Sequence, residues 1–137
     1  MKPYSALFLS IAGFLLSGTG LYFIFIRPAL LPEDLVYMAS SLKTVQENVP
    51  DLMNWLQKVF IVMGGYIFTT GLLTIYISQT SFRNRVNGSL GIMALAGLSS
   101  IGLMSGVNFL IDSDFKWVLI LFTIPWVISF ALYLIKR

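Results

Sequence analysis

The chain has 137 residues, of which 57% are hydrophobic and 11% charged, with a net charge of +3. Ordinary soluble domains run at about 45–50% apolar and about 25% charged residues, so this composition argues against a water-soluble fold. Cysteine and histidine are both absent, which removes disulfides, the thiolate nucleophile, soft metal sites, the usual haem ligand and the commonest general base.

Residues 5–26 form the first of four apolar stretches, followed by 59–78, 89–111 and 117–135, and none of them contains Asp, Glu, Lys or Arg. Each is about long enough to cross a bilayer core of ~30 Å at ~1.5 Å rise per residue. A charge at the centre of a membrane helix costs roughly 2.5–3.5 kcal/mol on an insertion scale, so charge-free spans are what lipid as solvent requires. The sequence predicts an all-α integral membrane protein, a single membrane domain over residues 1–137. Its fold class is a four-transmembrane-helix bundle with a short extracytoplasmic amphipathic helix between helices 1 and 2. The first stretch has some marks of a secretory signal, with Lys2 before an apolar run and Gly18-Thr19-Gly20 as a small-residue site. The apolar run continues through residues 21–26, which a cleaved signal does not need, so a retained helix is expected.

The connection at 27–57 is the only sizeable extramembrane piece. Pro32 suits a first helical position, and Glu33 and Asp34 then fall in the first turn, where carboxylates favour the helix dipole. Leu35, Met38, Ala39, Leu42 and Val45 recur at helical spacing, which predicts one amphipathic helix over 32–46. It is expected to cap the open end of the bundle or to lie flat at the headgroups, the cap being preferred. Asn48-Val49-Pro50-Asp51 breaks the chain, and the second span is expected to start as a helix near Pro50. The second loop, 79–88, contains the turn dipeptide Asn87-Gly88. Residues 112–116 allow only a tight hairpin between spans three and four.

Charge sorts the two sides. The N-terminus, the 79–88 loop and the C-terminus carry Lys2, Arg83, Arg85, Lys136 and Arg137, with no acid. The other side carries Arg27, Lys43, Lys58 and Lys116 with all six carboxylates. The density of Lys and Arg on the short loop predicts a protein of the plasma (inner) membrane with both termini cytoplasmic. Trp55 and Trp117 near outer span ends, and Tyr4, Tyr76 and Tyr133 near inner ones, fit interfacial anchoring.

Within the spans, Gly102 and Gly106 form a GxxxG pair, and Gly64, Gly65 and Gly71 mark the second helix, with Gly13 and Ser17 on the first. Such residues let backbones approach closely, either inside the bundle, which is preferred, or across a homodimer. Pro125 should kink the fourth span, and Trp126 beside it lies far from either interface, so a ligand pocket near the pair competes with simple space-filling, the latter being preferred. Asn108 is the strongest polar side chain in any span and is expected to meet a neighbouring helix. On the outer side, Arg27 with Glu33 and Asp34 is the leading candidate for a headgroup site, since a guanidinium suits a phosphate.

The carboxylates could also hold a hard cation, but their spacing is too common to specify one. No catalytic residue, metal site or cofactor is therefore expected. The expected function is a non-enzymatic binding or accessory role, engaging membrane lipids, a lipophilic ligand or another membrane protein, with a homodimer possible and no nucleic acid. A small transporter or channel for a neutral or lipophilic substrate is the alternative; with no carboxylate in any span, proton coupling through an intramembrane acid is not expected. An enzyme acting on lipid would have to use the outer carboxylates or a hydroxyl, and is the least supported class.

Overall fold

The computed structural model describes the backbone of residues 2–135 and the side chains of residues 4–135. The Lys2 side chain, Lys136 and Arg137, all counted on the basic side, lie outside the described residues. The described residues form helices and no strand. Four helices are long and apolar enough to cross a membrane: Tyr4–Phe25, Leu52–Phe82, Ser89–Leu110 and Lys116–Ile135.

In chain order, α1 covers Lys2–Phe25, α2 Pro32–Tyr37, α3 Leu42–Asn48 and α4 Leu52–Ile77. A π-helical turn, Ser78–Phe82, prolongs α4. The third apolar helix is α5, Ser89–Gly97, then a π-helical turn at Leu98–Gly102, then α6, Leu103–Leu110. The last helix, α7, covers Lys116–Ile135 with Pro125 inside it.

Two boundaries differ from the sequence expectation. The single helix over 32–46 is instead α2 and α3, divided at Ala39, which adopts a left-handed φ of 49°. There the Ser40 N–H donates to the Leu35 carbonyl and the Ala39 N–H to that of Val36, the hydrogen-bond pattern that ends a helix after a left-handed residue. Ser41 then caps α3 by accepting from the Thr44 N–H at 3.2 Å. Second, helix persists through Ser78–Phe82, where a loop is expected, because Phe82 is fully buried against Tyr133 and Phe130, with ring centroids 4.5 and 6.4 Å away.

The helices pack around α1, which lies chiefly against α4 and next against α7. The α1–α4 seam is made of glycine. Gly13 faces Gly71 and Gly20 faces Gly64; a Cβ added at Gly13 would stand 2.8 Å from the Gly71 carbonyl oxygen, and one at Gly64 2.8 Å from that of Gly20. The seven-residue spacing on both helices keeps the small residues on one seam, where close backbones gain dispersion and Cα–H···O contacts. Of the six glycines expected at helix contacts, Gly13, Gly64 and Gly71 take that role. Gly65 and Gly106 face open space, and Gly102 meets only its own helix around Gly97 and Leu98. Gly97 makes room for Trp126 instead: an added Cβ would lie 2.7 Å from the indole ring.

The end of the bundle that holds the 79–88 loop is stitched by hydroxyls. Ser10 and Ser78 share a 2.6 Å hydrogen bond, Gln79 Nε2 donates to Ser10 Oγ at 2.6 Å, and Ser129 Oγ donates to the Ser5 carbonyl at 2.8 Å. Such bonds hold helices together where apolar burial gives little net drive. Toward the opposite end the helices part. α6 leans on α7 and makes no comparable contact with α4, leaving space between them.

Candidate functional site: a lateral cleft with a charged rim

That space is a cavity of about 750 Å³. Its floor is α1 and α7 and its sides are α4 and α6, so it opens sideways where α4 and α6 stand apart. The wall is built from Phe14, Leu15, Met63, Leu103, Met104 and Phe122, among other apolar residues. Its polar wall residues are turned to their own helices. Thr19 Oγ1 donates to the Leu15 carbonyl, Ser100 Oγ to that of Ala96, and Asn108 Nδ2 to that of Met104 at 2.8 Å. A hydroxyl that bonds the preceding turn needs no partner across the cleft, whereas Asn108 keeps its Oδ1 and second N–H on the wall. The π-helical turn Leu98–Gly102 supplies Ser99 and Ser100 to this wall.

Charge is confined to the rim, where α1 ends. Arg27, Glu33 and Asp34 line the mouth with Leu31 and Ser113. The Arg27 guanidinium lies over Phe60, its Cζ 3.5 Å from the ring centroid, and 5.3 Å from that of Phe23. Its Nη2 pairs with Asp34 Oδ2 at 3.4 Å, and its Nη1 donates to the Pro28 carbonyl at 2.9 Å. The same Asp34 oxygen accepts the Leu31 N–H at 2.8 Å, which holds the start of α2 over the cleft. Burial lowers the Arg27 pKa, opposed by Asp34 and, less strongly, by Glu33. A guanidinium stays protonated regardless, so the rim keeps a fixed cation held against two rings.

Glu33 is placed differently. Its Oε1 accepts from Ser113 Oγ at 3.0 Å, joining α2 to the connection between α6 and α7. Ser113 is itself buried, and its Oγ also accepts the Phe115 N–H at 3.1 Å. Among the described residues no cation lies within 4.0 Å of Glu33, while Lys116 pairs with Asp112 and Lys43 with Glu47. No group of three carboxylates that could hold a metal ion occurs among the described residues.

Of the sequence-derived ligand candidates, Arg27, Glu33, Asp34 and Asn108 all line the one cleft. Pro125 and Trp126 do not; Trp126 is buried in the core, edge-on to Phe130 at 6.0 Å and seated on Gly97. Of the two readings for Pro125 and Trp126, the packing matches the preferred one, a bulky ring filling space beside a glycine. Asn108 bonds its own helix rather than a neighbour. Sequence reasoning missed Phe23, Phe60 and Ser113, which hold the rim charges, because nothing in the spacing of residues 23, 60 and 113 brings them together. Comparison with known families, curated proteins and solved structures finds no match to this chain.

Proposed function

We propose that this chain is an integral membrane protein, with both termini cytoplasmic, that binds a lipid or similar lipophilic molecule in the lateral cleft. The role is binding or accessory rather than catalytic. The observation that carries this reading is the cleft itself: about 750 Å³, apolar along its wall and charged only at its mouth. That volume falls within the ~300–1,000 Å³ of ordinary small-molecule sites. Its length also fits. From Phe14 to Arg27 is roughly 20 Å at ~1.5 Å per residue, close to one leaflet of a bilayer about 40–45 Å thick overall. An acyl chain would lie among Phe14, Met63, Leu103 and Phe122, its head would reach the rim, and a second chain could leave through the gap between α4 and α6.

Exposed aromatic residues support the membrane setting. Trp55 and Trp117, exposed at the rim end, and Tyr76, exposed toward the other end, suit headgroup depth. The exposed side chains of Val36, Tyr37 and Met38 on and after α2 would rest on the membrane surface around the rim.

Native mass spectrometry of the protein released from its membrane in mild detergent tests the reading. The intact chain is expected to keep a lipid adduct, and Gly18→Phe to lose it by about tenfold or more. Gly18 lines the cleft and an added Cβ there meets no other atom within 4 Å, so the ring fills the cleft without disturbing helix packing. Gly65→Phe, equally open but outside the cleft, is the control. An adduct kept equally by both variants would place the lipid elsewhere, and a chain bare of lipid would end the proposal.

A further inference from the structure

We infer that the molecule in the cleft is an amine-headed phospholipid, of the ethanolamine type, whose primary ammonium pairs with Glu33; this rests on the lipid-binding reading above. Among the described residues the rim holds one cation, Arg27, against two carboxylates, Glu33 and Asp34. Arg27 and Asp34 already satisfy each other at 3.4 Å. Glu33 is left partly buried at the mouth of an apolar cleft, bonded to a hydroxyl and, among the described residues, with no cation within 4.0 Å, Arg27 acting on it only from farther off. A carboxylate in that position favours a ligand that brings a positive charge and N–H donors.

Three headgroup chemistries separate on this ground. An acidic head brings no cation and would leave Glu33 uncompensated, whatever its phosphate gains from Arg27. A quaternary ammonium is best held over aromatic faces, but it has no N–H to donate and so gives the Glu33 carboxylate no hydrogen bond. A primary ammonium meets both requirements. The phosphate of such a head, one linker away from the amine, can take guanidinium N–H groups that Asp34 and Pro28 leave free, since Arg27 carries five and these contacts use two.

The test reconstitutes the full chain in nanodiscs of ethanolamine-, choline- and glycerol-headed phospholipids in equal amounts, all with the same acyl chains. Native mass spectrometry then reads which lipid stays bound on release. An ethanolamine-headed adduct is expected to exceed each of the others by about tenfold, the size of one charge-assisted hydrogen bond. Glu33→Gln, which keeps an acceptor for Ser113 and removes the charge, should level that preference while still retaining lipid. Binding without head preference, a preference for the glycerol head, or a preference unchanged in Glu33→Gln would each overturn the amine inference and leave lipid binding standing. Retention of none of the three lipids would overturn both.

Discussion

Ser113 joins segments 80 residues apart in sequence, and it does so with one hydroxyl that donates to Glu33 and accepts from Phe115. Replacing it with alanine removes both bonds and leaves the Glu33 carboxylate without a protein donor. Water can reach a half-buried carboxylate, so the cost is expected at the lower end for a charged hydrogen bond, on the order of 1–2 kcal/mol. The loss should be local. In Ser113→Ala, amide exchange over α2 should quicken while the α1–α4 seam keeps its protection; unchanged exchange at α2 would mean that Glu33 does not depend on this bond. At this scale the sequence was legible only in part. Pro32, Glu33 and Asp34 announce the start of α2 through their chemistry, and Asp34 does bond back to the Leu31 N–H. The end of α2 carries no such announcement, since Ala39 is a good helix former held at a left-handed φ. The signal that was available, Ser41 poised to cap a new helix with Thr44 three residues on, was outweighed by the continuous apolar periodicity.

Among the helices, glycine has three different roles that its frequency alone does not separate. Gly13, Gly20, Gly64 and Gly71 permit the α1–α4 seam, Gly97 admits the Trp126 ring, and Gly106 meets nothing within 4 Å. The GxxxG pair on the third apolar helix is the more familiar pattern, whereas the seam uses glycines seven apart on two helices. A seam of that kind is visible in a sequence only once the partner helix is known. The contrast is testable by the same substitution at two sites. Gly20→Leu drives a side chain into the backbone of α4, where a Cβ would already lie 2.7 Å from the Gly64 carbonyl oxygen. Because backbone cannot yield as a side chain can, the cost should exceed the ~1–3 kcal/mol typical of overpacking. Gly106→Leu should leave stability within about 0.5 kcal/mol, as a substitution in open space does. Thermal retention of the monodisperse species in one detergent compares the two, and equal losses would contradict the seam. A change of apparent size in Gly106→Leu alone would instead reveal a second copy on that face.

For the whole molecule, hydropathy alone located the four long helices, because lipid demands charge-free spans of a minimum length whatever their packing. The cleft was not legible. It exists because α6 leans on α7 and stands off α4, a relation between helices that no single span encodes, although the rim charges that mark its mouth could be picked out one by one. Which leaflet the cleft serves follows from orientation. On the proposed orientation, in which the short loop with Arg83 and Arg85 faces the cytoplasm, the rim would lie outside the cell and a bound headgroup in the outer leaflet. The absence of cysteine makes this directly measurable. A single cysteine at Gln46 in α3 or at Asn87 beside α5, both exposed, reports its side through a membrane-impermeant maleimide. In intact cells Gln46→Cys is expected to label and Asn87→Cys to label only after permeabilisation. The reverse pattern would put the same cleft in the inner leaflet, and the lipid that reaches Glu33 would then come from the cytoplasmic side.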